Sequence, residues 1–550
     1  MSFLEGDYFA FVKGDFMCSI DTDIIFLRPP IIETDPRFEP ILESLGIEYI
    51  VANCRQENIL CTYIDANLQN YTITDVCDII RRAHPKFVGI TITTEQIRDG
   101  TKTIINAISK LEPRPIICVG GHFVSYAYNE VLKSFPAIDV VCIGEGEYII
   151  CDLVKAVLSK VSFHQLEGIA FRHENEIIYN PNVARKIMDL DTLPWPVRDY
   201  TKEAIDKSQL FCMISSRGCY GSCKFCAINN FTKKFQYRKW RGRNIVDVVK
   251  ELKYGVKKLG AKYILICDDN FTAPGTQGKQ RLQEFIDEMS NDPVECEFGF
   301  FCRANDVIQY QNFMPKLKSI GLNHMFVGVE SASQRALNYY KKGITPEISK
   351  ESIRICKEND ICVEIGFIFF EPFTTLDEVI LNLKFLKEIQ MNSILRLNTK
   401  LSIYYGSDYI ADLEKNGLII QNGYEISYNY VNPEIEYVEK MFNKIFEYTI
   451  PLLSLFYDKK DCVTSTWYRK KSEEISNILS LEQLINDSIT DFLIEKLTYV
   501  NNFIGTKSLV TLESFFQECT TEIIKRISEY TFLTEAYFKQ EGKNEIRRHK

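Results

Sequence analysis

The first third of the chain carries short apolar runs, separated by segments in which apolar positions recur every three or four residues. The apolar runs are typical of strands buried on both faces, and they cover residues 23–31, 58–68, 86–96, 115–122 and 139–147. In the segment 74–84, by contrast, Val76, Ile79 and Ile80 follow helical periodicity. Strands of this kind alternating with helices predict a doubly wound, Rossmann-like parallel sheet within residues 1–160.

The same alternation returns in the middle of the chain. Predicted strands cover residues 210–218, 261–270, 295–305, 323–331, 362–372 and 395–406. About six such β/α units predict a partial (β/α)6 barrel over residues 206–406, with its active site at the carboxyl ends of the strands. Residues 161–205 are rich in proline, which breaks regular elements, and we expect a connector there.

Residues 407–550 differ from the rest of the chain, because long segments with helical periodicity replace the alternation of strands and helices. The region is rich in Phe and Tyr. We predict an α-helical domain that covers the mouth of the barrel and selects the substrate. Tyr404 and Tyr405 end the last predicted strand, and we expect them either to face the substrate or to belong to the core.

Composition narrows the class of protein. Of the 550 residues 25% are charged and the formal net charge is −9, which disfavours a nucleic-acid backbone as the main partner. The sequence has no apolar run of about eighteen residues, so we expect no membrane span. The N-terminus lacks the basic start and apolar core of a secretory signal. This predicts a cytoplasmic protein whose 18 cysteines stay mostly reduced.

Three cysteines lie close together in the sequence SSRGCYGSCKFCAINN, residues 215–230. Cys219, Cys223 and Cys226 have the spacing C-x-x-x-C-x-x-C on a loop after a predicted strand. Structural zinc sites need four ligands, and the nearest further cysteine, Cys212, lies within the strand. A disulfide is disfavoured in a reducing compartment. Three thiolates on a four-iron cluster would instead leave one iron open to a substrate or cofactor.

This loop, with the aromatic Phe225 before its third cysteine, resembles the C-x-x-x-C-x-φ-C signature of the radical SAM superfamily. The resemblance implies that the three cysteines hold a 4Fe–4S cluster whose open iron chelates S-adenosylmethionine (SAM). It also implies that one electron from the cluster cleaves SAM to methionine and a 5′-deoxyadenosyl radical.

Residues behind the loop resemble further SAM-binding positions of that superfamily. The resemblance implies that Arg303 holds the SAM carboxylate through its planar fork, and that Glu330 and Ser331, in a G-x-E-S pattern, lie near the ribose. The other SAM-binding residues expected on this basis are Phe225, Asp268, Asp269, Asn270, Gly366, Phe367 and Ile368. Residues 268–270 depart from the commoner Gly-Gly-Glu, and residues 366–368 would pair with adenine through their backbone.

The parallel sheet ahead of this signature resembles the cobalamin-binding domain of the class B radical SAM proteins. The resemblance covers roughly residues 20–406 and rests on the sequences RPP (28–30), VGGH (119–122), IGEGE (143–147) and LPWPVRDY (193–200). The cobalamin-binding residues expected on this basis are Pro29, Pro30, Thr93, Thr94, Glu95, Gly120, Gly121, His122, Gly144, Glu145 and Gly146. Because the D-x-H-x-x-G pattern is absent, we expect cobalamin to bind without a protein histidine on cobalt.

The cofactors implied are therefore a 4Fe–4S cluster, SAM and cobalamin, and the leading hypothesis is a methyltransferase. One SAM would methylate cobalamin, a second would give the radical, and methylcobalamin would place the methyl group on an unactivated carbon. The expected partners are a small-molecule or peptide substrate and an electron donor such as flavodoxin or ferredoxin.

Three alternatives stay open at this point. The same cofactors serve a ring contraction, cyclisation or oxidation without methyl transfer. A radical SAM dehydratase or epimerase would leave the cobalamin-like domain empty, and a non-catalytic iron–sulfur or zinc-binding regulator would cleave no SAM. A methylthiotransferase is disfavoured because its N-terminal domain uses a second cysteine triad, whereas the cysteines before residue 160 are scattered along this chain.

Overall fold

The computed structural model describes residues 22–30, 42–92, 99–174, 176–208, 210–393, 396–459, 473–502 and 509–548. Its strands are β1 (Ile24–Arg28), β2 (Thr62–Asp65), β3 (Phe87–Thr91), β4 (Ile116–Gly120), β5 (Val140–Cys142), β6 (Ile169–His173), β7 (Glu176–Asn180), β8 (Leu210–Met213), β9 (Ser216–Gly218), β10 (Trp240–Gly242), β11 (Tyr263–Ile266), β12 (Glu297–Arg303), β13 (Leu322–Glu330), β14 (Cys362–Phe367), β15 (Ile419–Asn422) and β16 (Glu425–Tyr428). Its α-helices are α1 (Leu45–Gln56), α2 (Ile73–Ala83), α3 (Asp99–Ile108), α4 (His122–Ser134), α5 (Glu147–Leu158), α6 (Thr201–Ser208), α7 (Ala227–Lys234), α8 (Ile245–Leu259), α9 (Gly275–Asn291), α10 (Ala304–Gln309), α11 (Met314–Ser319), α12 (Gln334–Tyr339), α13 (Pro346–Glu358), α14 (Leu376–Glu388), α15 (Tyr409–Lys415), α16 (Pro433–Lys459), α17 (Glu473–Asn501) and α18 (Leu509–Arg548).

The N-terminal sheet is built on five parallel strands in the order β2-β1-β3-β4-β5. Successive side chains of β1 point to opposite faces, so Ile25 and Leu27 pack with α2, α3 and α4, while Ile24 and Phe26 pack with α1 and α5. The strand order reverses between β1 and β3. In doubly wound sheets ligands bind outside the carboxyl ends of the strands at such a reversal.

The connector expected over residues 161–205 differs from the structure. Strands β6 and β7 lie inside that range and extend the N-terminal sheet, with β6 antiparallel to β5 and β7 antiparallel to β6. Side chains of this hairpin, such as Ile169 and Phe171, are buried where they pack in the same core as Ile24 and Phe26 of β1. The prolines that suggested a connector follow this hairpin rather than interrupt it, and only the later part of the range links the two sheets.

The second sheet consists of five parallel strands in the order β14-β13-β12-β11-β8. The outward side chains of β12, such as Phe298 and Phe300, belong to a core formed with the surrounding helices. Phe301 and Phe326 alternate with these outward residues, and their rings lie 5.1 Å apart, centroid to centroid. The predicted α/β fold class, with a doubly wound sheet, a parallel partial barrel and a helical region, is confirmed.

The sixth barrel strand predicted over residues 395–406 is wrong. Residues Arg396–Asn398 form a 3-10 helix, and the pairing beyond it is one isolated parallel bridge between Phe370 and Lys400. Leu401 and Ile403 turn their side chains into a cluster with α15 and the β15–β16 hairpin. Packing against these later elements therefore replaces the ladder that the alternating sequence suggested.

The C-terminal region is helical after the β15–β16 hairpin, as predicted. Its helices contact the outer side of the barrel: Phe442 of α16 lies 5.4 Å from both Phe369 and Phe370, and Asn392 after α14 donates to Thr490 of α17 at 2.9 Å. Their cover over the barrel mouth stays a prediction. Among the helices that the structure describes, none is both long and apolar enough to cross a membrane.

Candidate active site

The cysteine loop lies between β9 and α7, at the carboxyl end of the barrel sheet. Gly218 opens the loop with a φ of +86°, and a Cβ there would collide with the backbone oxygen of Lys239. A Cβ on Gly221 would collide with the guanidinium of Arg303. Gly218, which directly precedes the first cysteine, and Gly221, which lies between the first two, are therefore needed for the path of the loop.

The three cysteines of the loop are half-buried free thiols. The Gly221 N–H donates to Cys219 Sγ at 3.4 Å, and Arg303 Nη1 donates to Cys223 Sγ at 3.3 Å. Burial raises the pKa of Cys219 and raises the pKa of Cys226 to about 12. A bound cation would reverse this effect, because it stabilises the thiolate.

Across the described part of the chain, no three His, Cys, Asp or Glu residues form a group that could hold a single metal ion. An iron–sulfur cluster makes a different demand, since each cysteine binds its own iron at a corner of the cluster.

Contacts with the turn after α12 and with α15, which follows the barrel, hold the cysteine loop in place. Lys224 donates its backbone N–H to the backbone carbonyl oxygen of Tyr340 at 2.8 Å, and its Nζ pairs with Asp412. Phe225, predicted to contact SAM, lies edge-on to Tyr340 at 5.6 Å, centroid to centroid, within a cluster that also contains Leu401.

The three polar side chains after β11, Asp268, Asp269 and Asn270, lie in different surroundings. Asp268 is buried and accepts hydrogen bonds from Ser215 and Ser216, including 2.7 Å from Ser216 Oγ. Asn270 is also buried and donates to the Thr272 oxygen at 2.8 Å. Asp269 instead faces a cavity while one of its oxygens accepts the Gly218 N–H at 2.8 Å. Of the three predicted SAM-binding residues, only Asp269 presents its carboxylate to open space.

Two further predicted SAM-binding residues meet at the carboxyl ends of β12 and β13. Arg303 is buried, and its Nη2 donates to the Lys342 oxygen. Glu330 is buried as well, and its Oε1 accepts from Lys342 Nζ at 2.6 Å. Burial lowers the pKa of Lys342, but the carboxylate of Glu330 and the nearby Cys223 together more than offset this and the pKa is raised. The structure thus brings Arg303 and Glu330 together through Lys342.

Ser331 and residues 366–368 surround Glu330. Ser331 Oγ is buried and accepts the Ser333 N–H at 3.1 Å, so it shapes the turn after β13. Gly366 lies beside Glu330, because a Cβ on it would be 3.2 Å from Glu330 Oε2. The Ile368 N–H donates to the backbone carbonyl oxygen of Glu330 at 2.8 Å. The Phe367 ring lies on the outer side of the strands, in the core that they form with the surrounding helices.

The loops at the carboxyl ends of the N-terminal strands hold the residues predicted to bind cobalamin. Pro29 and Pro30 are buried, whereas Thr93, Thr94 and Glu95 lie outside the described residues. Gly121 has a φ of +131°, and a Cβ on it would collide with the Ile92 oxygen. Gly144 has a φ of +91° and donates its N–H to Ser125 Oγ at 3.0 Å.

His122 begins α4 directly after Gly121. Its ring lies 4.4 Å from the ring of Phe231 in α7, centroid to centroid. Desolvation by the surrounding protein lowers the pKa of His122, against the opposing effect of the Asp269 and Glu145 carboxylates. The imidazole is therefore neutral at neutral pH and partly covered by a barrel side chain.

The loop that carries Glu145 is joined to the barrel by arginines. Arg241 of β10 donates two hydrogen bonds to Glu145, at 2.9 and 2.5 Å, and Arg217 of β9 donates to Glu147 at 2.5 Å. Burial raises the pKa of Glu145, but Arg217 and Arg241 lower it more, so it lies below its ordinary value. This loop therefore forms an ionic junction with β9 and β10, which pair as a separate antiparallel two-stranded sheet beside the barrel sheet.

A cavity of about 300 Å³ lies between the carboxyl ends of the two sheets. The N-terminal domain lines it with the glycine loops, namely Gly120, Gly121, His122, Gly144, Glu145 and Gly146. The barrel side lines it with Ser216, Arg217, Gly218, Arg241, Cys267 and Asp269. The cavity thus reaches Gly218, the residue directly before Cys219.

Two family models match the chain at these two halves of the cavity. The B12 binding domain matches residues 37–154 and the Radical SAM superfamily matches residues 213–386. The chain belongs to the cobalamin-binding radical SAM enzymes. Its cofactors are accordingly cobalamin, SAM and a 4Fe–4S cluster.

Proteins similar to this cobalamin-binding radical SAM enzyme include an "Uncharacterized methyltransferase PH0819" of Pyrococcus horikoshii. It is 27% identical over 63% of this chain and 74% of the relative. The anaerobic magnesium-protoporphyrin IX monomethyl ester cyclase of Cereibacter sphaeroides is 27% identical over 56% of this chain, and this chain spans about half (50%) of the cyclase.

A solved structure of the cobalamin-dependent SAM radical enzyme OxsB, with aqua-cobalamin and SAM bound, is also similar in fold. It superposes with a TM-score of 0.72 at 19% identity, covering 96% of this chain and 81% of OxsB. The superposition extends over nearly the whole chain, so the helical region is part of a fold already seen with these cofactors.

The structure also shows where the predicted substrate residues lie in this radical SAM enzyme. The Tyr405 ring packs edge-on against Phe123 of α4, at 5.7 Å, and its hydroxyl accepts from Gln421 Nε2 at 3.3 Å. Tyr404 is exposed. Tyr405 therefore belongs to the contact between the segment after the barrel and the cobalamin domain.

Three residues of the site escaped sequence reasoning. Arg217 directly precedes Gly218, and its position beside the cysteine loop is a signal that would have found it. Arg241 and Lys342 carry no such signal, because lysine and arginine in loops and short strands are usually exposed. Only the fold shows that both are buried and paired with carboxylates.

Proposed function

We propose that this enzyme transfers a methyl group from SAM to an unactivated carbon of a small-molecule or peptide substrate. The observation that carries the proposal is the cavity that the glycine loops share with the cysteine-loop end of the barrel. A group carried on one cofactor and a substrate activated by the other have to meet, and a shared cavity supports such a meeting. The similarity to a methyltransferase of Pyrococcus horikoshii adds support.

When bound, the reduced cluster supplies the electron that cleaves SAM, and cobalamin supplies a carrier for the methyl group. In this proposal Cys219, Cys223 and Cys226 hold the cluster. The buried Nε of Arg303 has no hydrogen-bond partner among the described residues, which fits a role in binding the SAM carboxylate. The carboxylate of Asp269, which faces the cavity, suits the SAM amino group.

The residues around Glu330 are proposed to hold the nucleoside part of SAM. Glu330 Oε1 is occupied by Lys342, and within the described ranges Oε2 receives no hydrogen bond, so it suits a ribose hydroxyl. Gly366 leaves space directly beside that oxygen. The backbone of residues 366–368 is proposed to pair with adenine, and Ser331 to support the turn that carries Glu330.

On the other side of the cavity, the glycine loops are proposed to hold cobalamin. Gly121 and Gly144 adopt backbone angles that favour glycine and bring the backbone itself to the cavity wall. Phe231 covers part of His122, which supports our expectation that no protein histidine binds cobalt. Glu145 keeps its ionic contact with Arg241, so its proposed role is to hold the loop rather than to contact the corrin.

The test of methyl transfer uses the reconstituted enzyme with reductant and SAM that carries a deuterated methyl group. Without substrate, we expect S-adenosylhomocysteine in an amount equal to the bound cobalamin, and none from enzyme prepared without cobalamin. With a substrate, the product gains the deuterated methyl group. Release of 5′-deoxyadenosine without any S-adenosylhomocysteine would contradict the proposal.

A reaction without methyl transfer is the second candidate, and the relative named as a cyclase favours it. It shares the fold and all three cofactors with the first candidate. The same labelled SAM separates the two, because a ring contraction, cyclisation or oxidation leaves the label out of the product.

An electron donor such as flavodoxin or ferredoxin and a cytoplasmic location complete the proposal. The cluster has to be reduced before it acts, and a reducing compartment keeps the many buried thiols in the free state. With reduced flavodoxin in place of a chemical reductant, we expect 5′-deoxyadenosine to form at a comparable or higher rate.

A further inference from the structure

Lys342 lies in the turn between α12 and α13, and it is 5% exposed although most lysines are on the surface. Its Nζ donates to Glu330 Oε1 at 2.6 Å. Its backbone oxygen accepts from Arg303 Nη2, while Arg303 Nη1 reaches Cys223 Sγ at 3.3 Å. One residue thus contacts both proposed SAM-binding groups through two different parts of its structure.

The barrel strands leave a space for this contact. Arg303, Gly328 and Gly366 are aligned across β12, β13 and β14. A Cβ on Gly328 would lie 2.5 Å from Lys342 Nζ and 2.8 Å from Glu330 Oε1. Any residue other than glycine at position 328 would therefore displace the ion pair from the inner face of the barrel.

The backbone of Glu330 is also unusual. Its φ is +71°, in the left-handed region that non-glycine residues rarely adopt, and the β13–β14 register shifts between Gly328 and Glu330. Residues held in such conformations cluster at binding sites, where surrounding contacts fix them. Here the bulge turns the carboxylate so that Oε1 meets Lys342 and Oε2 lies beside Gly366.

We propose that Lys342 is a positioning residue for SAM, whose ammonium group fixes Glu330 and whose carbonyl group fixes Arg303. The inference rests on the proposed function, in which these two residues contact SAM. A buried carboxylate without its cation loses both its orientation and its charge compensation. A guanidinium that loses an acceptor gains rotational freedom relative to the carboxylate it binds.

The test measures SAM cleavage without substrate, as 5′-deoxyadenosine released by the dithionite-reduced holoenzyme. We expect Lys342→Met to raise the KM for SAM about tenfold or more while kcat falls less, because one charged hydrogen bond to a binding group is lost. The change that SAM causes in the electron paramagnetic resonance spectrum of the reduced cluster should weaken in parallel. Lys342→Arg should restore part of the affinity.

The neighbouring Lys341 provides the matched control, because it is exposed and precedes Lys342 directly. Lys341→Met should leave the KM for SAM and the spectrum unchanged. Iron content and circular dichroism confirm that each variant holds its cluster and folds. If Lys342→Met fails to fold, the double variant with Glu330→Gln removes both buried charges and keeps the comparison possible.

The double variant is decisive for the role of Lys342. A neutral glutamine at position 330 needs no cation, so Lys342→Met should add little further loss of SAM affinity in the Glu330→Gln background. An unchanged KM in Lys342→Met, or losses that multiply in the double variant, would overturn the inference. If Glu330→Gln itself leaves the KM unchanged, Glu330 does not contact SAM and the inference fails, while methyl transfer is still judged by the labelled-SAM products.

Discussion

Arg303 connects the parts of the proposed SAM site at the scale of single residues. It contacts the Cys223 thiol and the Lys342 carbonyl with two nitrogens, while its third, Nε, has no hydrogen-bond partner in the described ranges. Only a planar fork with several donors satisfies such an arrangement. A lysine keeps the positive charge at this position but offers one donor centre.

We therefore expect Arg303→Lys to raise the KM for SAM by about tenfold to a hundredfold, the effect of losing one charged hydrogen bond. Initial rates of 5′-deoxyadenosine release at varied SAM concentrations measure this effect. Arg354→Lys serves as the control, because Arg354 is an exposed residue of α13. Equal KM values for wild type and Arg303→Lys would show that the fork does not bind SAM.

Gly121 carries a second prediction at the residue scale. Because its φ is +131° and a Cβ would collide with the Ile92 oxygen, Gly121→Ala should lower the free energy of unfolding by about 1–3 kcal/mol. Denaturant titration of the apoprotein measures the loss. Gly46→Ala is the matched control, since a Cβ at Gly46 meets no atom within 4 Å. A Gly121→Ala variant with the same free energy of unfolding as wild type would contradict the described path of this loop.

The residue scale also shows where sequence reasoning reaches its limit. Cysteine spacing and the order of Arg303 and Glu330 predicted the SAM half of the candidate site, because those signals are local in the sequence, and the structure places these residues at the same end of the barrel. The three polar residues at 268–270 looked equivalent. Which of them faces the cavity depends on side-chain direction at the end of β11, and Ser215 and Ser216 take Asp268 away from it.

At the scale of elements, the strand pair β9–β10 joins the barrel to the cobalamin domain. Arg217 and Arg241 stand on these two strands and meet the carboxylates of Glu147 and Glu145. These groups are largely buried, so removing one charge leaves its partner uncompensated. The junction holds the glycine loop at a fixed place beside β9, the strand that leads into the cysteine loop.

Glu145→Gln should consequently lower the free energy of unfolding by about 3 kcal/mol at neutral pH. Because the pKa of Glu145 in the folded protein is below its ordinary value, its contribution is complete above that value and disappears as the pH falls through the folded pKa. The difference between wild type and variant should thus shrink between about pH 5 and pH 3, a window set by the ordinary glutamate pKa.

Denaturant titrations across this pH range provide the measurement. Glu176→Gln, at an exposed residue of the edge strand β7, should show no such difference from wild type. A pH-independent gap between wild type and Glu145→Gln would argue against the ionic junction.

Elements were predictable where burial on both faces left a continuous apolar run, as in β1, β3 and β4. The β6–β7 hairpin was missed because half-buried antiparallel strands have weaker patterns, and prolines nearby suggested a connector. For the segment 395–406 the error was the opposite one, because the pattern predicted a strand that does not form. Its alternating residues suit a strand, but contacts with α15 and β16 determine its conformation, and those come later in the chain.

At the scale of the whole molecule, the parallel strands of two sheets turn their carboxyl ends toward one cavity. Parallel strands collect their loops at one end, so each domain alone offers a binding edge. The segment after the barrel reinforces this arrangement, because Tyr405 and Tyr424 both pack against Phe123 of α4. The fold thereby places the glycine loops and the strand that leads into the cysteine loop on opposite walls of the same space.

The central claim is that these two walls bind two different cofactors, and replacing Cys219, Cys223 and Cys226 together by alanine tests it most directly. Iron content, cobalamin absorbance and 5′-deoxyadenosine release are measured on the reconstituted variant and on wild type. We predict that the variant loses its iron and its SAM cleavage while it retains cobalamin at close to one equivalent. Continued SAM cleavage, or loss of cobalamin together with the iron in a protein that remains folded, would contradict the account.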